Sequence, residues 1–239
     1  MTATILKLRP ERPSPEEWVR SLNQDYHGAT AQEVIEAAIH GGFLGKVALV
    51  SSFGAESAVL LHLVSQVDPS TPVVFLETQK HFAQTTSYRR KLAARLGLSD
   101  VRDVTPDAEE AASLDPKGDL WRSDSDACCH LRKVRPLTNA LDDFDAWFTG
   151  RKAFHGGSRM TLPIFEWSGT HVKVNPLVSW TKDDVAAHME AHDLPPHPLV
   201  AQGYQSIGCW PCTLPSDDAS DVRAGRWSGS KRECGIHQG

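Results

Sequence analysis

Lys46-Val-Ala-Leu-Val-Ser-Ser-Phe-Gly-Ala-Glu-Ser57, running on into Ala58-Val-Leu-Leu-His-Leu-Val64, decides the fold. Its first residues form a continuous apolar run, the pattern of a strand buried on both faces of a sheet. Small residues and a glycine break that run, and the apolar stretch from Ala58 reads as a helix that starts at once. Strand, glycine-bearing loop and helix N-terminus together make a place where backbone N–H groups and the helix dipole can hold an anion. Taken alone, Gly54 fits an ordinary tight turn equally well.

Towards the C-terminus the pattern repeats. Thr71-Pro-Val-Val-Phe-Leu-Glu-Thr78 is a second apolar strand, followed by a helix through Thr86 to Gly97, and further strands are predicted at Val101–Val104, Ala146–Thr149 and His171–Leu177. Strands alternating with helices predict an α/β fold, a mainly parallel sheet flanked by helices. In such sheets ligands bind at the carboxyl ends of strands, so the Ser51–Ser57 loop and the residues after Phe75 should line one cleft. Towards the N-terminus, helices are predicted from Ser14 and from Thr30, the second with a Thr30/Glu33 capping box. Thr181 and Asp184 mark the start of another helix. Pro106–Gly118 reads as a surface connection.

With 239 residues, 40% hydrophobic and 23% charged, the chain can bury a full core. No apolar run approaches the roughly 18 to 20 residues that span a bilayer, and the opening Met1–Pro10 lacks the features of a secretory leader. A cytoplasmic protein with no membrane partner is expected. The net charge of -5 argues against nucleic acid, so an anionic substrate has to be met by a local basic site.

Five cysteines in a reducing compartment point to metal or redox chemistry rather than disulfides. Cys128 and Cys129 are adjacent, and Cys209-Trp-Pro-Cys212 forms a two-residue pincer. Neighbouring cysteines suit the several corners of an iron–sulfur cube, and with the pincer they supply its four thiolates. Zinc is the alternative, although structural zinc sites favour wider spacing. Cys234 stands apart, beside Lys231, Arg232 and His237, in surroundings that favour a reactive thiolate. Lys133 follows the cysteine pair, and Arg223 and Arg226 are spaced to share one face if helical, either clamping an anion or lying as solvated charge. Thr149–Arg159 is a second glycine-bearing basic loop, suited to phosphate or sulfate or else an exposed turn. His188, His192 and His197 read as surface or packing residues.

Jointly, Ser52-Phe-Gly-Ala-Glu56, Cys128-Cys-His-Leu-Arg-Lys133, Lys173-Val-Asn-Pro-Leu177, Ser206-Ile-Gly-Cys-Trp-Pro-Cys-Thr213, Arg223-Ala-Gly-Arg-Trp227 and Glu233-Cys-Gly-Ile-His237 resemble the thioredoxin-dependent adenylyl-sulfate reductases of sulfate assimilation. The resemblance implies a PP-loop nucleotide-binding fold over 46–215 after N-terminal helices in 1–45, and a mobile tail over 216–239. It implies one 4Fe–4S cluster on Cys128, Cys129, Cys209 and Cys212, and Cys234 as the nucleophile that takes up sulfite before thioredoxin or glutaredoxin releases it. Ser52, Phe53, Gly54 and Ser57 would seat the phosphosulfate end of the nucleotide and Leu76 would border the adenine. Lys133, Arg159, Arg223, Arg226 and His237 would complete the substrate site. A sister group acts on the 3'-phosphorylated nucleotide and lacks the cluster cysteines, so the four here favour adenylyl sulfate. An ATP-dependent PP-loop sulfur-insertion enzyme is a further alternative, but its usual Ser-Gly-Gly-x-Asp-Ser loop is replaced here by Phe53-Gly-Ala-Glu-Ser57.

Overall fold

Residues 13–218, 221–229, 231 and 233–237 are described by a computed structural model. The chain runs α1 (Pro15–Asp25), α2 (Ala31–His40), β1 (Val47–Val50), α3 (Ser57–Val67), β2 (Val73–Leu76), α4 (Ala83–Arg95) and β3 (Val101–Val104). It continues through α5 (Ala108–Leu114), α6 (Leu120–Ser123), α7 (Ser125–Cys129), α8 (Arg135–Leu141), β4 (Ala146–Phe148), β5 (Phe165–Trp167), β6 (Val172–Val174) and α9 (Lys182–Ala191). Capping boxes open α1, α2 and α9, at Ser14/Glu17, Thr30/Glu33 and Thr181/Asp184. Each satisfies two backbone donors that the first helical turn leaves over. None of the described helices is long and apolar enough to cross a membrane.

The six strands form one sheet in the order β3-β2-β1-β4-β6-β5. All neighbours are parallel except the edge strand β5, which runs antiparallel to β6. Side chains along a strand alternate between faces. Leu49, Val73, Phe75 and Phe148 therefore join the core shared with α2, α3 and part of α9. Ala48, Val74, Leu76 and Trp147 join a second core against α8 on the opposite face. Because β1 is flanked by β2 on one side and β4 on the other, the connections leave in opposite directions and open a crevice above the carboxyl ends of β1 and β4.

Two features depart from the sequence expectation. β5 was not anticipated: three residues with one apolar face carry no periodic signal, and they pair only because the chain doubles back onto β6. The Pro106–Gly118 segment is more than a surface connection, for it contains α5 and leads to Asp115, which is buried and pairs with Arg132 at 2.8 Å. Arg132 also donates to the carbonyl of Thr78 at 3.0 Å, so it ties the segment to the end of β2.

Candidate active site

A cavity of about 220 Å³ opens above the carboxyl ends of β1 and β4, and is lined by the loops after β1, β2 and β4, by Ser206–Cys209 and by the C-terminal tail. After β1 the chain turns through Phe53 with φ +47°, a left-handed conformation unusual for a bulky residue. Its ring is fully buried against Phe75, with centroids 5.6 Å apart. Phe53 therefore anchors the loop and has no side chain in the cavity, while Ser52, Gly54 and Ser57 do line it. The Gly54 N–H donates to Ser57 Oγ at 2.8 Å and the Phe53 N–H to Ser51 Oγ at 3.2 Å, so these amides are capped by the loop's own hydroxyls. Gly54 is needed for close approach: a Cβ there would lie 3.2 Å from the Ile207 carbonyl oxygen.

Glu56, at the head of α3, binds the first loop to the second. Its carboxylate accepts from Lys152 Nζ at 2.9 Å and lies 3.0 Å from His155 Nε2. Burial alone would raise its pKa, but the His155 hydrogen bond and the Lys152 charge outweigh burial and bring it down to about 2. Arg151, in the same loop, is held by Glu166 at 2.5 Å and Asn175 at 3.1 Å. Thus Arg151, Lys152 and Arg159 of the Thr149–Arg159 loop are buried and paired with Glu56, Glu166 and Glu233 outside it, whereas Gly157 and Ser158 remain exposed.

Lys133, Arg223 and Arg226 converge on the cavity beside Cys234. Lys133 gets there because residues His130–Val134 form a π-helical stretch between α7 and α8. Such a widened turn re-aims side chains and is frequent at functional sites. Burial works against the Lys133 charge, yet the negative charge that Cys209, Cys234 and Cys129 can carry beside it raises its pKa above the ordinary lysine value. Burial and the neighbouring Arg159 push the Arg223 guanidinium down to about 10. Arg226, 7% exposed, donates to the Cys212 carbonyl at 3.2 Å and stacks on Trp227 at 4.3 Å. Gly208 makes room for it, since a Cβ there would fall 2.3 Å from a guanidinium nitrogen. Arg223 and Arg226 are not on a helix; a turn over 222–225 presents them.

The tail is folded over the mouth of the cavity. Glu233 accepts from Arg159 through both carboxylate oxygens, at 2.7 and 2.9 Å. Ile236 packs on the α8-side core, and the His237 ring stacks on Trp147 at 5.8 Å and 11°. Burial, then Arg151 and Arg159, lower the His237 pKa well below its ordinary value, and its buried Nδ1 has no hydrogen-bond partner. Cys234 sits between these anchors and lines the cavity. Lys231 reaches Asp126 Oδ1 at 2.5 Å and Cys129 Sγ at 3.6 Å. Arg232 lies outside the described residues.

Burial raises the thiols of Cys128, Cys129 and Cys212; Cys129 and Cys209 raise Cys128 further, to about 11, and Cys209 adds to Cys212, while Lys133 partly offsets the rise at Cys129. The pair on α7 and the pincer thus face one another. Thr78 Oγ1 lies 3.3 Å from Cys209 Sγ, and Trp210 N–H donates to the Lys80 carbonyl at 2.8 Å, strapping the pincer to the exit of β2. Leu76 and His81 border the cavity there. Sequence reading placed Glu56 in the loop after β1 and Trp147 on a strand without giving either a role, and gave His81 none; the fold brings all three to the cavity wall.

The sequence pattern of the phosphoadenosine phosphosulfate reductase domain matches residues 46–215. Over 218 residues, 90% of this chain and 89% of the relative, the protein is 50% identical to one from Chelativorans sp. (strain BNC1) named adenosine 5'-phosphosulfate reductase. It resembles the crystal structure of a phosphoadenylyl-sulfate reductase from Candida auris, in a phosphate complex, with TM-score 0.72 and 29% identity, covering 85% of this chain and 98% of that one. Candida glabrata FMN adenylyltransferase shares the fold alone, at TM-score 0.56 and 15% identity, over 87% of this chain and 68% of that one.

Proposed function

We propose, from the premise that this chain belongs to the phosphoadenosine phosphosulfate reductase family, that it reduces adenylyl sulfate to sulfite and AMP in assimilatory sulfate reduction, in the cytoplasm. Relatives carrying the adenosine 5'-phosphosulfate reductase name support the choice of nucleotide. The observation that carries the chemistry is the setting of Cys234, the cysteine outside both pairs, in one cavity with Lys133, Arg223 and Arg226. Its thiolate attacks the sulfur of the phosphosulfate. A sulfur–sulfur bond forms, the bond from sulfur to the phosphate oxygen breaks, and AMP departs with the electron pair. The three cations stabilise the charge gathering on that phosphate. Covalent catalysis divides one difficult reduction into two displacements. A dithiol reductant, thioredoxin or glutaredoxin, then attacks Cys234 Sγ; sulfite leaves with the bonding pair, and the reductant's second thiol frees Cys234 as the reductant becomes a disulfide. Ser52 and Ser57 fit the phosphosulfate end, and Leu76 the adenine border. Arg159 and His237 enter this reading chiefly as anchors of the tail.

Cys128, Cys129, Cys209 and Cys212 would hold one 4Fe–4S cluster. In the chain without it, burial and neighbouring thiols disfavour the thiolates of Cys128, Cys129 and Cys212, a strain that a polycationic core relieves. Among the described residues, the potential ligand atoms gathered within 4.8 Å of one another belong to three histidines and not to any three of these cysteines. One tetrahedral zinc with bonds of roughly 2.3 Å would need its sulfurs about 3.8 Å apart, so the spacing favours a larger core. When bound, the cluster would join the pincer to α7 and set thiolate charge beside Lys133.

The deciding experiment mixes the protein with adenylyl sulfate and no reductant, then maps the sulfonated peptide by mass spectrometry. The adduct is expected on Cys234, and Cys234→Ser should lose sulfite release by about 10³-fold or more, since a hydroxyl is a poor nucleophile at neutral pH. An adduct on Cys128 or Cys212, or normal turnover by Cys234→Ser, overturns the assignment.

A further inference from the structure

Outside the cavity, α3 and α9 bring three imidazoles together. His62 projects from α3, His188 from α9 one helical turn before His192, which caps that helix. One ring nitrogen from each lies within 4.8 Å of the other two, and His62 Nδ1 and His188 Nε2 share a hydrogen bond at 3.0 Å, which a metal would replace. His62 is 9% exposed, and the edge of His188 rests on Trp180 at 5.4 Å. Sequence reading grouped His188 and His192 with His197. The structure separates His197, which is buried elsewhere against Thr85 and Tyr88, and puts His62 in its place.

We propose that His62, His188 and His192 form a binding site for one divalent transition-metal ion of the zinc class, which pins α9 to α3. Residues four apart on a helix share a face, the arrangement that lets two imidazoles grip one ion. Tetrahedral zinc with bonds of about 2.0–2.1 Å places its ligand nitrogens roughly 3.3–3.4 Å apart, close to the His62–His188 separation. Imidazole selects zinc, nickel and copper rather than calcium or magnesium. His192 is exposed, so the fourth position faces water. A clamp has work to do here, because Val185 is the one fully buried residue of α9, with Met189 partly buried against the core. None of the three histidines lines the cavity that holds Cys234, so the site is independent of the reaction.

The test uses untagged protein with its iron content measured, equilibrated with zinc chloride in a nitrilotriacetate buffer and desalted before metal analysis. The wild type should retain about one zinc per chain at micromolar free zinc and melt several degrees higher with it. The His188→Ala/His192→Ala variant should bind at least about tenfold more weakly and show no zinc-dependent melting shift, with iron content and reductase activity unchanged. His192→Gln, which changes one exposed side chain, should show the same loss in a background certain to fold. Failure of the wild type to retain zinc, or equal retention by the variants, overturns the proposal.

Discussion

His197 is fully buried, and its surroundings dictate its protonation state. Its Nδ1 accepts from the Leu199 N–H at 3.1 Å, which leaves Nε2 to donate to Thr85 Oγ1 at 3.0 Å. A second proton on Nδ1 would point at that N–H. Burial accordingly lowers its pKa to about 4, against 6.5 ordinarily. Between those values the unfolded chain binds the proton and the folded chain does not, so stability falls as pH drops from 6.5 towards 4 and the loss levels off below 4. Comparing denaturant unfolding at pH 7 and pH 4.5, the wild type should lose about 2 kcal/mol more than His197→Gln; equal losses would remove His197 from the pH dependence. At this scale the sequence was uneven. Cys234 stood out because an isolated cysteine among cations is a local pattern, and its place in one cavity with Lys133, Arg223 and Arg226 is what the structure adds. The burial of Phe53 was not, since the strained turn that swings its ring under the loop is set by packing against Phe75.

Among elements, the tail and the second basic loop meet through Arg159 and Glu233. Arg159 is 7% exposed and spends its donors on Glu233 and on His155, the latter at 2.9 Å. Arg223 Nη2 also lies 3.7 Å from Glu233, so removing Arg159 weakens the carboxylate's pairing without emptying it, at a cost below the ~3–5 kcal/mol of a fully stranded buried charge. Arg159→Ala should therefore undock the tail: adduct formation at Cys234 should slow by about 10²-fold or more, while AMP affinity changes only about two- to threefold. The Arg159→Ala/Glu233→Ala double variant should be no worse than either single one, as partners in one contact are non-additive. Additive losses, or a collapse of AMP affinity, would make Arg159 a substrate ligand instead. β1, β2 and β4 were readable as continuous apolar runs because both their faces are covered. β5 and α5 were not: each is short, and each is held by a distant partner, β6 in one case and the Asp115–Arg132 connection in the other. The resemblance implied a mobile tail over 216–239; the seat that Ile236 and Trp147 give its last described residues is announced by no local pattern.

At the scale of the molecule, the two cysteine pairs lie far apart in the chain, at Cys128–Cys129 and Cys209–Cys212, so a group held by all four would tie distant segments together. On the proposed reading, anaerobically purified protein is brown, with about four irons and four sulfides per chain. Cys209→Ser should bleach it and lower the melting temperature, because metal binding free energy is in part folding free energy. Colourless protein with one zinc and full activity would remove the cluster from the account. The folded-over tail has a consequence of a different kind. A cavity of about 220 Å³ roofed by Glu233, Cys234 and Ile236 is smaller than the roughly 300–1,000 Å³ of ordinary ligand pockets, and a folded protein cannot enter it. On the proposed reading, the nucleotide would arrive, and the reductant would reach the sulfonated Cys234, with the roof lifted. On that reading the two partners would take turns at one doorway, the reductant reaching Cys234 only after AMP has left the sulfonated enzyme.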